Sequence, residues 1–134
     1  FQWKVRVYWE DTDGGGIVYY ANYLKFMERA RTELLRSLGV NQSELAATEG
    51  LVFAVVETRA EYVKPARLDD ELIVTCRPLD CSRVTFAFEQ QIFRGGCGGE
   101  LLVQGHTRAA CLHAGTLKPR RVPAALLDGL RHWL

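Results

Sequence analysis

Three carboxylates fall within four residues in the stretch "EDTDGGGIVYYANY", Glu10 to Tyr23, and a run of three glycines follows them. The aromatic-rich end of the stretch reads as the opening of a helix. Glycines ahead of a helix let backbone N–H groups approach another molecule closely, and the helix start carries partial positive charge. Such a place binds anions or stabilises a developing oxyanion. An acid beside it is a poor neighbour for a phosphate and a good one for a neutral carbonyl that becomes anionic during reaction. One carboxylate then attacks the carbonyl or deprotonates a water, which is the chemistry of acyl transfer. The same residues also suit a plain turn, with Asp11 or Asp13 as a local cap. Both readings stand on the residues alone.

Other sets of reactive residues fit less well. An EF-hand calcium loop needs an oxygen ligand where Gly15 stands and a glutamate where Asn22 stands. No Gly-Lys-Ser/Thr follows the glycines, and no GxSxG elbow occurs. His106, His113 and His132 lack any metal-binding spacing. Glu28 lies mid-helix near the apolar stripe, where it either lines a pocket or pairs with Arg31 or the Thr32 hydroxyl.

These residues need elements to hold them. "FQWKVRVYWE" alternates with period two, Trp3, Val5, Val7 and Trp9 on one side, and predicts a half-buried strand. "YYANYLKFMERARTELLRSLG" places Tyr23, Met27, Ala30, Leu34 and Leu38 at helical spacing, with Leu24 and Leu35 widening the stripe. Arg29, Arg31, Glu33 and Arg36 form its polar surface, and Gly39 ends it. "NQSELAATEG" predicts a short helix capped by Asn41 or Ser43. Four strand-like runs follow. In the first, Val52, Ala54, Val56, Thr58, Ala60 and Tyr62 share a face. "ELIVTCRPL", "SRVTFAFEQQIFR" and "ELLVQGHTRAACLHA" are the others, with the glycine-rich turn "RGGCGG" before the last. A short helix, Ala124 to Trp133, ends the pattern. The sum is an α+β fold over residues 1–134, in which about five antiparallel strands curl around one long central helix. An open sheet of this kind leaves an edge unpaired, and a second copy of the chain is the usual cover.

The chain has 134 residues and a formal net charge of +1, which favours neither nucleic acid nor an acidic membrane surface as partner. No apolar run approaches the roughly 20 residues that span a bilayer, and the first residues lack the apolar block of a signal peptide. Cys76, Cys81, Cys97 and Cys111 follow no CxxC or zinc pattern; three of them fall in strand-like runs, which favours buried free thiols, as expected in a reducing cytoplasm.

"YWEDTDGGGIVYYANYLKFMERARTELLRSLG" resembles the signature of the hotdog-fold acyl-CoA thioesterases of the 4-hydroxybenzoyl-CoA thioesterase type, and is especially similar to the bacterial subgroup associated with the Tol–Pal system. "EYVKPARLDDELIV" and "KPRRVP" match the same subgroup. The resemblance implies a hotdog fold, dimeric through sheet edges and often tetrameric, that hydrolyses acyl-CoA to a carboxylate and free coenzyme A without metal or organic cofactor. It implies that Asp13 is the catalytic acid, as nucleophile or general base. The backbone N–H of Tyr20 polarises the carbonyl, Gly16 or Ile17 lines the approach, and Tyr19 and Asn22 stand next to the acyl group. The subgroup typically carries histidine where this chain has Tyr20, so no side-chain role of that histidine carries over.

Coenzyme A brings phosphates that need cations, and Lys64, Arg67, Arg83 and Arg120 are the candidates, Arg83 foremost, contributed across a subunit interface. Asp69 and Asp70 read as turn residues. Acyl preference depends on the packing of Phe53, Tyr62, Phe86 and Phe88, which pattern does not place. A dehydratase of the same fold pairs a histidine with an acid, and no histidine lies in this loop or helix. The competing class is a non-catalytic module that holds acyl-CoA or acyl carrier protein, or an adaptor to an envelope complex.

Overall fold

A computed structural model of the chain describes residues 1–96 and 98–134. Its elements in order are β1 (Gln2–Arg6), a 3₁₀ turn (Trp9–Asp11), α1 (Asn22–Ser37), α2 (Gln42–Glu49), β2 (Leu51–Tyr62), β3 (Glu71–Thr75), β4 (Arg77–Cys81), β5 (Thr85–Arg94), β6 (Glu100–His113) and α3 (Ala124–Arg131). The strands form one antiparallel sheet in the order β1-β3-β5-β6-β2, with β4 continuing along β5 beyond β3.

The long helix takes its place through its apolar arc. Tyr23, Met27, Ala30, Leu34 and Leu35 are buried as the spacing predicts, and Phe26 joins them at 1% exposure. They pack with Leu72, Val74, Phe88, Ile92 and Val103 of the sheet in one core. The approach to β6 is close: a Cβ on Gly105 would lie 2.7 Å from Met27 Cε, so the end of that flexible side chain would have to shift to admit one. Beyond Ser37 the chain turns at Gly39, whose φ is +84°. α2 is capped by Asn41, whose side chain accepts from the Glu44 N–H at 3.1 Å, so Ser43 lies inside the helix.

Three expectations are corrected. The run "ELIVTCRPL" is two strands, making six in all: at the break, the Gln91 N–H donates to the Thr75 hydroxyl at 2.9 Å, and Cys76 N–H turns to the Phe1 carbonyl at 2.8 Å. Trp9 leaves the buried face and is 79% exposed, because the chain departs the sheet after Val7 and winds into the 3₁₀ turn, closed by the Tyr8 N–H on Asp11 Oδ2 at 2.8 Å. In β2 the register slips between Val55 and Glu57. That bulge places Phe53 and Val55, not Val52, Ala54 and Val56, on the helix side with Thr58, Ala60 and Tyr62. β2 is also an edge strand, and Val55 and Val56 are each about half exposed.

Cys76, Cys81 and Cys111 are free, and Cys97 lies outside the described residues. Burial pushes the Cys76 thiol up to about 12, with Arg31 pulling the other way. Iodoacetamide at pH 8 is therefore expected to leave Cys76 unmodified in the native protein and to modify it in urea. Peptide mapping by mass spectrometry checks this; native-state labelling within minutes would contradict the packing. Among the described residues no helix is long and apolar enough to cross a membrane.

Candidate active site

The acid–glycine stretch folds as a small hairpin clamped between the 3₁₀ turn and α1. Thr12 pairs with Val18, and the Asp13 N–H donates to the Ile17 carbonyl at 2.8 Å. Gly16 turns the chain at φ +80°, a conformation that disfavours any side chain. The Asp13 carboxylate accepts the Gly15 N–H at 2.7 Å through Oδ1 and stays at the surface. The three acids thus have separate duties. Asp11 closes the 3₁₀ turn, Glu10 is exposed, and Asp13 is held by one oxygen. The turn reading of Asp13 is correct as geometry, and that same geometry orients the carboxylate.

The hairpin is braced against the helix start. The Asp11 carbonyl accepts both the Tyr19 N–H and the Asn22 side-chain amide, each at 2.9 Å. Asn22, expected next to the acyl group, donates its amide to the loop and so positions it. Removing that amide by Asn22→Ala is expected to cost about 1 kcal/mol, the usual net worth of one such bond. Because the bond orients the loop, turnover should fall more than KM rises; thermal melts and steady-state kinetics test both halves, and unchanged kinetics would deny Asn22 its positioning role. Val18 N–H donates to the Ala66 carbonyl at 2.9 Å, and Ala66 N–H donates to the buried Tyr23 hydroxyl at 2.9 Å. Burial raises the Tyr23 phenol, so it stays neutral in this bond.

α1 begins without a side-chain cap, since Ala21 occupies the N-cap. The Tyr20 N–H has no protein acceptor among the described residues. The Tyr20 ring lies 4.9 Å from Tyr19 and 6.0 Å from Tyr62, forming an exposed aromatic rim. The Tyr20 hydroxyl beside Tyr19 pushes the Tyr19 phenol up.

The cations separate. Arg67 is exposed and lies beside the hairpin, its backbone bridged to Ile17. Lys64 reaches Glu100 at 3.3 Å. Arg94 ties the loop behind them to the sheet, donating to Pro65 O, to Asp70 at 2.9 Å and to Glu100 at 2.6 Å. Hydrogen bonds from Arg94 and then Lys64 hold the Glu100 carboxyl below its ordinary range. Asp70 accepts the Arg67 N–H at 2.8 Å, as a turn residue should. Arg83 sits with Arg121 at the other end of the ten-residue β5, roughly 30 Å from Arg94 at the usual strand rise. One chain does not bring it to Asp13.

A cavity of about 350 Å³ opens between α1 and the sheet, starting at Leu24 in the first turns of the helix and ending near Leu35. Phe53, Phe86 and Phe88 form its apolar wall, whereas Tyr62 stays at the rim with Tyr20. Glu28 and Lys25 stand exposed at its edge. Arg31, assigned by pattern to the polar surface, instead lines this cavity and donates to Gln90 Oε1 at 2.9 Å. Its ion pair with Glu28 does not form. The sequence did hold a signal for this turn inward: Arg31 falls four residues after Met27 and four before Leu35, inside the apolar arc. Among the described residues no group of three acids, histidines or cysteines could hold a metal ion.

The sequence and the fold match known proteins along nearly the whole chain. Residues 7–134 match the model of the thioesterase-like superfamily. The acyl-CoA thioesterase YbgC of Haemophilus influenzae is 39% identical over 98% of this chain and 95% of its own. A 1,4-dihydroxy-2-naphthoyl-CoA hydrolase of Thermosynechococcus vestitus is 32% identical over 96% of this chain and 84% of its own. Among solved structures, a probable thioesterase from Bartonella henselae superposes with a TM-score of 0.85 at 36% identity, covering 92% of this chain and 98% of that one. The chain belongs to the thioesterase-like superfamily and has its hotdog fold.

Proposed function

We propose that the protein is an acyl-CoA thioesterase whose chemistry takes place between the Asp13 hairpin and the start of α1. The observation that carries this reading is the uncapped helix start, braced directly against the loop that presents the Asp13 carboxylate. The thioester carbonyl oxygen accepts the Tyr20 N–H, which strengthens its grip as negative charge develops. Asp13 attacks the carbonyl carbon or takes a proton from the water that does so. The C–S bond breaks, coenzyme A leaves as the thiolate, and water supplies the oxygen and hydrogen of the acid and thiol products. Gly16 and Ile17 line the approach, and the Tyr19–Tyr20 rim flanks the acyl group.

Arg67 is the cation of the same chain best placed for the coenzyme A phosphates, and Lys64 can join it by releasing Glu100. Arg83 contributes only from a second copy. The exposed outer edge of β2 supports such a copy: pairing there would cover Val55 and Val56 and complete an edge that has no partner strand among the described residues. Two such dimers could associate further as a tetramer, and a cytoplasmic location suits the free thiols. Thiol release from a panel of aliphatic and aromatic acyl-CoAs tests the activity. Efficient turnover of one acyl class is expected, and uniform background rates would overturn the reading.

A further inference from the structure

The floor of the cavity is polar where an acyl pocket would ordinarily be greasy. The Arg31 guanidinium meets Gln90 Oε1 at 2.9 Å and Thr107 Oγ1 at a long 3.5 Å. Gln90 and Thr107 are 0% and 1% exposed. Gln90 is itself fixed, its amide donating to the Met27 carbonyl at 2.9 Å, and Thr107 exchanges a hydrogen bond with Thr58 at 3.2 Å. A guanidinium carries five donors, and these two acceptors are both neutral. Glu28 is near enough to be felt electrostatically, yet Arg31 forms no salt bridge among the described residues. The protein has therefore aimed a seated positive charge into a cavity where no carboxylate of its own contacts it, Glu28 standing off at the exposed edge.

From these contacts we infer that Arg31 fixes a carboxylate at the far end of the acyl group, so that the preferred substrates are thioesters of dicarboxylic acids. This rests on the thioesterase reading above. A neutral alkyl tail in the cavity would strip water from the guanidinium and return nothing, whereas a carboxylate would accept its donors in a charge-assisted pair. The reach is suitable. Gln90 draws the guanidinium back toward Met27, which places it on the order of 10 Å along the helix axis from Asn22 at 1.5 Å per residue. Less the carboxylate–guanidinium contact itself, that span fits an acyl chain of about five or six carbons in all, counting both the reacting carbonyl and the distal carboxylate. The phenylalanine wall then contacts the methylenes.

Two paired measurements decide it. Hydrolysis of glutaryl- and adipyl-CoA is compared with that of pentanoyl- and hexanoyl-CoA, in the wild type and in Arg31→Gln and Arg31→Lys. Binding of S-(carboxyalkyl)-CoA and S-alkyl-CoA thioethers of matched length, which cannot be hydrolysed, is measured by calorimetry on the wild type. The wild type should favour the carboxylate-ended member of each pair by about tenfold or more, the scale of a specific polar contact in a pocket. Arg31→Gln should lose that preference, read as the rate ratio within each pair so that any general change in rate cancels, and Arg31→Lys should retain part of it. Equal use of both members by the wild type overturns the inference, as does an Arg31→Gln variant that slows all four alike. If no thioester is turned over but the carboxylate-ended thioether still binds about tenfold tighter, the anion site stands and the thioesterase reading falls. The wild-type comparison decides the matter even where a variant fails to fold.

Discussion

Asp13→Asn is expected to lower turnover of the best acyl-CoA by a factor of order 10² or more, the usual scale for losing a catalytic acid or base. The substitution is chosen because it leaves the local structure alone. An asparagine oxygen can accept the Gly15 N–H as the aspartate does, so the hairpin keeps its turn and the helix start keeps its brace. Only the charge and the nucleophilic or basic oxygen disappear. KM should change little and the melting temperature should be within experimental scatter of the wild type, which together separate lost chemistry from lost structure. A protein that serves only to bind acyl-CoA would show no turnover to lose and would bind thioether analogues equally well in both forms. Full activity in Asp13→Asn would remove the carboxylate from the mechanism and return it to being a turn residue.

Phe26→Ala carries the largest expected effect on stability. The ring is 1% exposed, meets Tyr23 edge-on at 6.1 Å between centroids, and carries the Arg29 guanidinium 5.7 Å from its centre. Truncating a phenylalanine in such a site costs about 3–5 kcal/mol, a large share of the roughly 5–15 kcal/mol that holds a domain together. Urea denaturation should show the midpoint falling with the slope unchanged. A loss below about 1 kcal/mol would mean that α1 does not pack into the curl of the sheet as described. Because Phe26 stands one turn past the helix start, activity should fall with stability near the new melting range and be close to normal well below it.

The helix was the most legible part of the sequence because its signal is redundant: Tyr23, Met27, Ala30 and Leu34 repeat the same spacing, and one misread position changes nothing. Strands offer no such protection. The extra residue at Val56 inverts half of β2, and neither glycine nor proline marks the slip. The break after Thr75 depends on a side-chain hydroxyl replacing a ladder bond, which composition does not reveal. The loop's chemistry is legible from its acids, its glycines and the following helix, whereas the hold of the Asn22 amide on the Asp11 carbonyl is not. The charge of Arg31 points to the surface and its position inside the apolar arc points inward, and the position prevails. Arg83 illustrates a different limit: its role involves a second chain, and the order of residues in one chain does not say which ends of two copies meet.

The missing cap on α1 has a consequence for how the protein responds to its ligand. Ala21 has helical backbone angles and no side-chain cap, and the Tyr20 N–H before it is left without a protein acceptor among the described residues. In the proposed reaction the oxygen of the reacting acyl group accepts the Tyr20 N–H, so the unpartnered amides of Tyr20 and Ala21 become shielded from solvent only while the site is occupied. Their hydrogen exchange should be fast in the free protein and slow in the presence of a non-hydrolysable ketone analogue in which methylene replaces the thioester sulfur and the carbonyl oxygen is kept, while the core amides of β5 and β6 stay unchanged. The substrate, in this sense, is the last residue of the helix to fold.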